Sequence, residues 1–325
     1  MSVDLTAHVG ATLDFLVIGA QRSGTTSLWR HLASHPEIYV PPSKEAPFFS
    51  HDEPFARGLE WYLGEFFAEA HPAQRWGTVS PHYMMGSPGV DVGEVARRIH
   101  SLLPQVKLIA VLRDPIERAQ SHHRMVLHRG RETRDFDTAA RELLVPEMLE
   151  RARREPPLVQ PYFVQGEYGR ILGNYLALFG REQLHVLLTS DLRDDPGEAM
   201  RAIFAFLGVD ERHEPPEPMK RHHRGGRARR LDADAEQALK DHLAREVWPQ
   251  MAHPAQQQRA FNFWFMQWNV IPEERLAPLD PELRAQLQDH YARDAELLES
   301  LTGLTVPWRR AAPTPYAAPS PATAA

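Results

Sequence analysis

The chain has 325 residues, a formal net charge of -6 and no cysteine. That length allows a large buried core, in one α/β domain with additions or in two domains, and the acidic balance argues against general nucleic-acid binding while leaving room for a local Arg/Lys cluster facing an anion. The missing cysteines exclude disulfides, thiolate metal sites and a Cys nucleophile; the N-terminal MSVDLTAHVG has no basic region or long apolar run, no uninterrupted apolar stretch of about eighteen residues occurs, and a cytoplasmic location is expected.

The first predicted element is a buried strand over the apolar run Leu13 to Ile18, broken at Gly19 by a polar loop, Ala20 to Thr25. A helix follows from Thr26, with Leu28, Trp29, Leu32 and Ala33 at helical spacing, until Pro36 stops it. Strand, glycine-bearing loop and helix in that order gather backbone N–H groups and the positive end of a helix dipole at one point, which suits a phosphate or sulfate. Gly19 and Gly24 have the spacing of a Walker A loop, but Thr25 stands where that motif needs Lys to reach the terminal phosphates of ATP. The loop carries its cation at Arg22 instead, with the hydroxyls of Ser23, Thr25 and Thr26 crowding the helix start. The plain alternative is an ordinary tight strand-to-helix turn.

Further along, Ile38 to Val40 suits a short extended piece, and Pro41-Pro42 forces a loop that delivers Lys44 and Glu45 before Phe48-Phe49. A helix over Gly58 to Phe67, a strand over Trp76 to Ser80 and a helix over Val92 to Leu103 lead into Val106 to Leu112, the clearest strand signal in the chain. Asp114 is placed as an N-cap and Pro115 at the first position of a helix that runs to about His128 and carries Ser121. One charged helical stretch is expected over Phe136 to Arg153, ended by Pro156-Pro157. A helix over Tyr168 to Phe179, a strand over Leu184 to Leu188 and a helix over Pro196 to Leu207 complete the alternation, which argues for a mainly parallel sheet covered on both faces.

Beyond Gly208 the pattern changes to a basic loop, Lys220 to Arg230, a helix over Asp232 to Glu246, an aromatic segment, Phe261 to Trp268, and a last helix over Pro281 to Thr302. The Ala/Pro/Thr-rich tail from Ala311 is expected to be disordered.

Three blocks carry a resemblance to the sulfotransferases that use 3′-phosphoadenosine 5′-phosphosulfate (PAPS), and their order and spacing match. Gly19 to Leu28, GAQRSGTTSL, resembles the family's loop for the 5′-phosphosulfate; Leu112-Arg113-Asp114-Pro115 with Glu117-Arg118 and Ser121 is similar to its segment for the 3′-phosphate. Ser43-Lys44-Glu45-Ala46-Pro47-Phe48-Phe49 resembles the acceptor-side loop of the heparan sulfate type, whose glutamate is the catalytic base. The chain departs from that type at Arg22, where many members have Lys, and at Val79, where a second active-site Lys often precedes a Thr/Ser-Pro pair.

The resemblance implies a P-loop NTPase-like three-layer α/β/α fold with a helical C-terminal extension: one domain over 1–310, its PAPS-binding core at about 13–208, and the tail 311–325. It implies PAPS as sulfate donor, adenosine 3′,5′-bisphosphate as product, no obligatory metal, and a hydroxyl or amine acceptor on a glycan, small molecule or carrier-bound intermediate. Arg22, Ser23, Gly24, Thr25, Thr26 and Ser27 would surround the 5′-phosphosulfate, and Arg113 and Ser121 the 3′-phosphate. Glu45 would be the base and Lys44 a contact to the sulfuryl group, while Asp14, His82, His122 and His123 are alternative bases or acceptor contacts. Arg224, Gly225, Gly226 and Arg227, in the basic loop, lie where this family closes a loop over the nucleotide; a solvated loop is the plain reading. The aromatic segment fits core, acceptor platform or oligomer contact. Two other functions stay open: a P-loop-type nucleotide phosphotransferase, and a non-catalytic nucleotide-binding protein.

Overall fold

Five short strands, most of their residues buried, build the centre of the molecule. The computed structural model describes residues 12–128, 131–155, 161–214, 228–229, 233–247, 249, 270–271 and 279–309. Strands β1 (Phe15–Gly19), β2 (Ile38–Tyr39), β3 (Arg75–Val79), β4 (Lys107–Leu112) and β5 (Leu184–Leu188) pair in the order β2-β3-β1-β4-β5. Every pairing in this sheet is parallel. Parallel neighbours need crossovers, and helices supply them: α1 (Thr25–Ser34), α2 (Asp52–Ala56), α3 (Leu59–Phe66), α4 (Val92–Leu102), α5 (Pro115–His128) and α6 (Phe136–Leu143). After them come α7 (Pro146–Arg154), α8 (Tyr168–Leu176), α9 (Thr189–Asp194), α10 (Pro196–Leu207), α11 (Ala233–His242) and α12 (Pro281–Thr302).

Side chains of successive strand residues point to opposite faces, so each central strand feeds two cores. Phe15, Val17, Ile109 and Val111 pack with Leu28 and Leu32 of α1 and Ile203 and Phe204 of α10. Leu16, Ile18, Leu108 and Ala110 pack on the other face with Val95 and Ile99 of α4 and Leu172 and Tyr175 of α8. The expected three-layer α/β/α architecture is thus present, and the strand expectations are met within one or two residues.

Two expectations need correction. The stretch read as one helix from Phe136 to Arg153 is split into α6 and α7, because Val145 is extended (φ -72°, ψ 145°) ahead of Pro146. Proline lacks the N–H for the helical ladder and disfavours helical backbone before it, so it starts a helix here and cannot continue one. In the basic loop and the aromatic region, Ala228–Arg229 pairs antiparallel with Val270–Ile271, a ribbon not foreseen from sequence. The aromatic segment Phe261 to Trp268 itself lies outside the described residues.

The last helix is fastened to the α/β core. Asp280 caps its start, accepting from the amides of Glu282 (2.8 Å) and Leu283 (3.3 Å), and Gly303 ends it at φ 69°. Leu283, Leu287 and Tyr291 join one hydrophobic cluster and Ala295 and Leu298 another. Asp294 reaches across to cap α8, accepting from the amides of Gly169 (2.9 Å) and Arg170 (2.8 Å). This brings two backbones together: a Cβ added at Gly169 would lie 2.4 Å from the Asp294 carbonyl oxygen, which cannot rotate away. Gly169→Ala should therefore destabilise the protein by about 1–3 kcal/mol, the usual cost of overpacking. At about 2–4 °C per kcal/mol for a domain of this size, thermal denaturation reads the loss directly; a melting temperature equal to the parent's would mean that the helices are not in contact there.

Candidate active site

Because β1, β3 and β4 are parallel neighbours, the loops that follow them emerge at one edge of the sheet. The loop after β1 is tightly closed. Ala20 N–H donates to Val111 O on β4 (2.8 Å), Ser23 N–H donates to Ala20 O (3.2 Å), and Gly24 serves as N-cap of α1 at φ 101°. Arg22 is also left-handed, at φ 69°, a conformation that costs a non-glycine residue energy and that clusters at functional sites. Ser23 and Thr25 are buried. No side chain caps α1 and no acidic residue stands in its first turn, so helix geometry leaves the amides of Thr25 and Thr26 without an intrahelical acceptor. The expected ring of amides is narrower by one, since the Ser23 N–H is spent inside the turn.

The second expected anion point sits beside the first. Asp114 caps α5 through the amides of Ile116 and Glu117, both at 2.9 Å, and burial pushes its carboxyl above the usual range. Arg113, at the end of β4, lies against Glu117 (Nη2 to Oε2, 2.8 Å), an i,i+4 pair in which Glu117 is largely exposed. Such pairs are worth about 0.2–1 kcal/mol, which leaves the guanidinium available to a phosphate. Ser121, on the second turn of α5, accepts from Arg22 Nε at 3.0 Å, so the two loops already touch. Arg22 also approaches the Met125 sulfur (Nη1 to Sδ, 3.8 Å).

Two residues that sequence reasoning did not select hold this edge in place. The Thr189 hydroxyl, at the first residue of α9, lies 2.8 Å from Ser23 O and 3.0 Å from Leu112 O, tying the end of β4 to the loop after β1. The Tyr168 hydroxyl donates to Arg113 O at 2.9 Å. The one available signal for Thr189 was its place directly after a predicted core strand.

On the β3 side, Glu45 sits at φ 71° and its N–H donates to Val79 O at 3.2 Å. Its carboxylate is paired with the Lys44 ammonium through Oε1, and Oε2 lies 4.0 Å from His82 Nε2. Of the alternative bases, His82 is the one that approaches Glu45. Asp14 precedes β1 at the opposite edge, bound to Arg75 (3.2 Å) and to the Trp76 amide (2.8 Å). A groove of about 400 Å³ there, lined by Asp14, Arg75 and Lys107 among others, holds none of the proposed site residues. His122 and His123 are buried against Tyr162, and His123 Nε2 lies 3.0 Å from Arg134 O. Arg224, Gly225, Gly226 and Arg227 lie outside the described residues. Among the described residues there is no cluster of His, Cys, Asp and Glu able to hold a metal, and no helix long and apolar enough to cross a membrane.

This geometry can bind anions at adjoining points and present a carboxylate beside them. Known proteins place the chain in a family. Residues 12–253 match the family model described as the sulfotransferase domain. Mouse bifunctional heparan sulfate N-deacetylase/N-sulfotransferase 4 is 32% identical over 204 residues, covering 60% of this chain and 22% of that protein. The Drosophila melanogaster bifunctional heparan sulfate N-deacetylase/N-sulfotransferase is 29% identical over 209 residues, covering 60% of this chain and 19% of its own length. The chain thus spans about a fifth of the curated relatives it matches. The crystal structure of a sulfotransferase from Alicyclobacillus acidocaldarius superposes with a TM-score of 0.62 at 26% identity, covering 92% of this chain and all of that one. With most of its length matched by the family model and the expected parallel sheet in place, the chain belongs to the sulfotransferase domain family.

Proposed function

We propose that the enzyme transfers the sulfuryl group of PAPS to a hydroxyl or amine of a glycan, small-molecule or carrier-bound acceptor, with Glu45 as general base. The observation that carries this reading is the convergence of Arg22, the open N-terminus of α1, Arg113 and Ser121 at one sheet edge that also carries Glu45. PAPS brings negative charge at both its 5′-phosphosulfate and its 3′-phosphate, and the site offers cations and donors at two adjoining points.

In-line displacement asks the protein to align the acceptor, the sulfur and the leaving phosphate oxygen, and to stabilise charge on the leaving group. The planar guanidinium of Arg22 and the helix-start amides serve that charge, and Arg is well suited because it does not give up its proton. A phosphate leaving group is weakly basic, so no general acid is required. The acceptor must lose a proton, and Glu45 is the carboxylate at this edge able to take it. Lys44, on the other carboxylate oxygen, adds positive charge for the transferring group. The absence of a Walker lysine at Thr25 speaks against nucleotide phosphotransfer.

Glu45→Gln should leave adenosine 3′,5′-bisphosphate affinity near the parent's and reduce turnover about 10²- to 10⁴-fold, measured as transfer of labelled sulfate from PAPS to a pool of hydroxyl and amine acceptors. An active E45Q protein would remove the base assignment. Arg113→Ala and Ser121→Ala should each weaken bisphosphate binding in calorimetric titration. Losing a hydrogen bond to a charged group costs about 1.5–3 kcal/mol, or roughly 10- to 150-fold in Kd for Arg113 and less for Ser121. Tighter binding of magnesium ATP than of the bisphosphate would instead favour the phosphotransferase reading.

A further inference from the structure

The carboxylate proposed as base is clamped from several sides, and one of its neighbours has no part in the scheme above. Glu45 N–H is fixed to the end of β3, and the Tyr62 and Tyr83 hydroxyls both donate to the next carbonyl, Ala46 O, at 3.3 and 3.1 Å. His82 lies in the 3-10 turn Pro81–Met84 that directly follows β3. Its carbonyl accepts from the amides of Met85 (3.1 Å) and Gly86 (2.9 Å), and the Tyr175 hydroxyl holds Tyr83 O at 2.6 Å. These bonds hold the two backbones beside each other, and from them His82 Nε2 comes to 4.0 Å from Glu45 Oε2.

The carboxylate is flanked unequally. Lys44 sits on Oε1, with its side chain 13% exposed. On the Oε2 side stands an imidazole whose side chain is 31% exposed, open to water, with the His51 ring 5.8 Å beyond. Burial, with smaller contributions from His51 and Lys44, outweighs the Glu45 charge and lowers the titration of His82 below its ordinary 6.5. At neutral pH the ring is uncharged and can accept.

Resting on the reading of Glu45 as base, we propose that His82 is the relay residue that receives from Glu45 the proton given up by the acceptor. As the acceptor's oxygen or nitrogen forms its bond to sulfur, the bond from sulfur to the phosphate oxygen breaks and its electron pair stays on that oxygen. The acceptor's proton passes to Glu45 Oε2, then to His82 Nε2 by side-chain rotation or one bridging water, and then to solvent. His82 touches no reacting atom and acts through Glu45.

The test uses the full chain. His82→Gln should slow sulfate transfer from labelled PAPS to the mixed acceptor pool about 10- to 100-fold, at or below what a general base supplies, with bisphosphate affinity unchanged. Parent activity should fall as pH drops through the His82 titration below 6.5, because a charged imidazole cannot take the proton, and H82Q should lack that limb. The E45Q/H82Q double variant should be no slower than E45Q; a multiplicative loss would overturn the relay. NMR titration of the His82 ring, assigned by its absence in H82Q, gives a readout independent of turnover. Glu45→Gln should lower its midpoint, because the carboxylate charge that raises it is gone, and an unchanged midpoint would overturn the pairing. An impaired E45Q with a parent-like H82Q overturns the relay alone, whereas a parent-like E45Q overturns the base assignment and the relay together.

Discussion

The pairing of β1 with β4 is the constraint on which the rest depends. Phe15 lies opposite Lys107 and Val17 opposite Ile109, and the register then shifts so that Gly19 lies opposite Ala110. That shift accompanies the turn of the chain away from the sheet, and Ala20 makes one more bond to β4 at Val111 before the loop closes. Arg22 and Arg113, ninety-odd positions apart in sequence, are neighbours because these two strands are neighbours. Pairing of β1 with β3 on its other side brings the Glu45 and His82 segments to the same edge. A sheet buried on both faces holds these relations rigidly, since any slip would move apolar side chains out of two cores at once.

Under the proposed function, the chemistry is distributed accordingly. Charge recognition falls to the loops after β1 and β4, which meet through Arg22 and Ser121 and are tied by Thr189. Proton handling falls to the loops around the end of β3, where Lys44, Glu45 and His82 are held by backbone bonds and tyrosine hydroxyls. The left-handed backbone at both Arg22 and Glu45 fits this division: each side is kept in a costly conformation by the packed elements around it.

Much of this was legible in the residues themselves. Apolar runs bounded by Gly and Pro marked the strands, the Asp114-Pro115 pair marked the start of α5, and the glycine-spaced loop from Gly19 to Thr26 between strand and helix pointed to an anion. What escaped depended on three-dimensional neighbourhood. The Pro146 break was readable locally and was overridden by the charged helical pattern around it. Nothing near Thr189 says that its hydroxyl meets carbonyls at positions 23 and 112, because that follows from strand order. Asp14, His122 and His123 were candidates by residue type, and the contacts each makes, with Arg75, Tyr162 and the Arg134 carbonyl, depend on the fold and not on local sequence.

The Asp294 carboxylate on the start of α8 has a consequence for how the chain comes together during synthesis. Helix α8 covers one face of the sheet, yet its first amides are satisfied by a side chain more than a hundred residues downstream. On the ribosome, the five strands emerge long before that carboxylate does. The nascent α/β layer therefore waits, with the apolar surface that α12 will cover still in water, until α12 itself has been made.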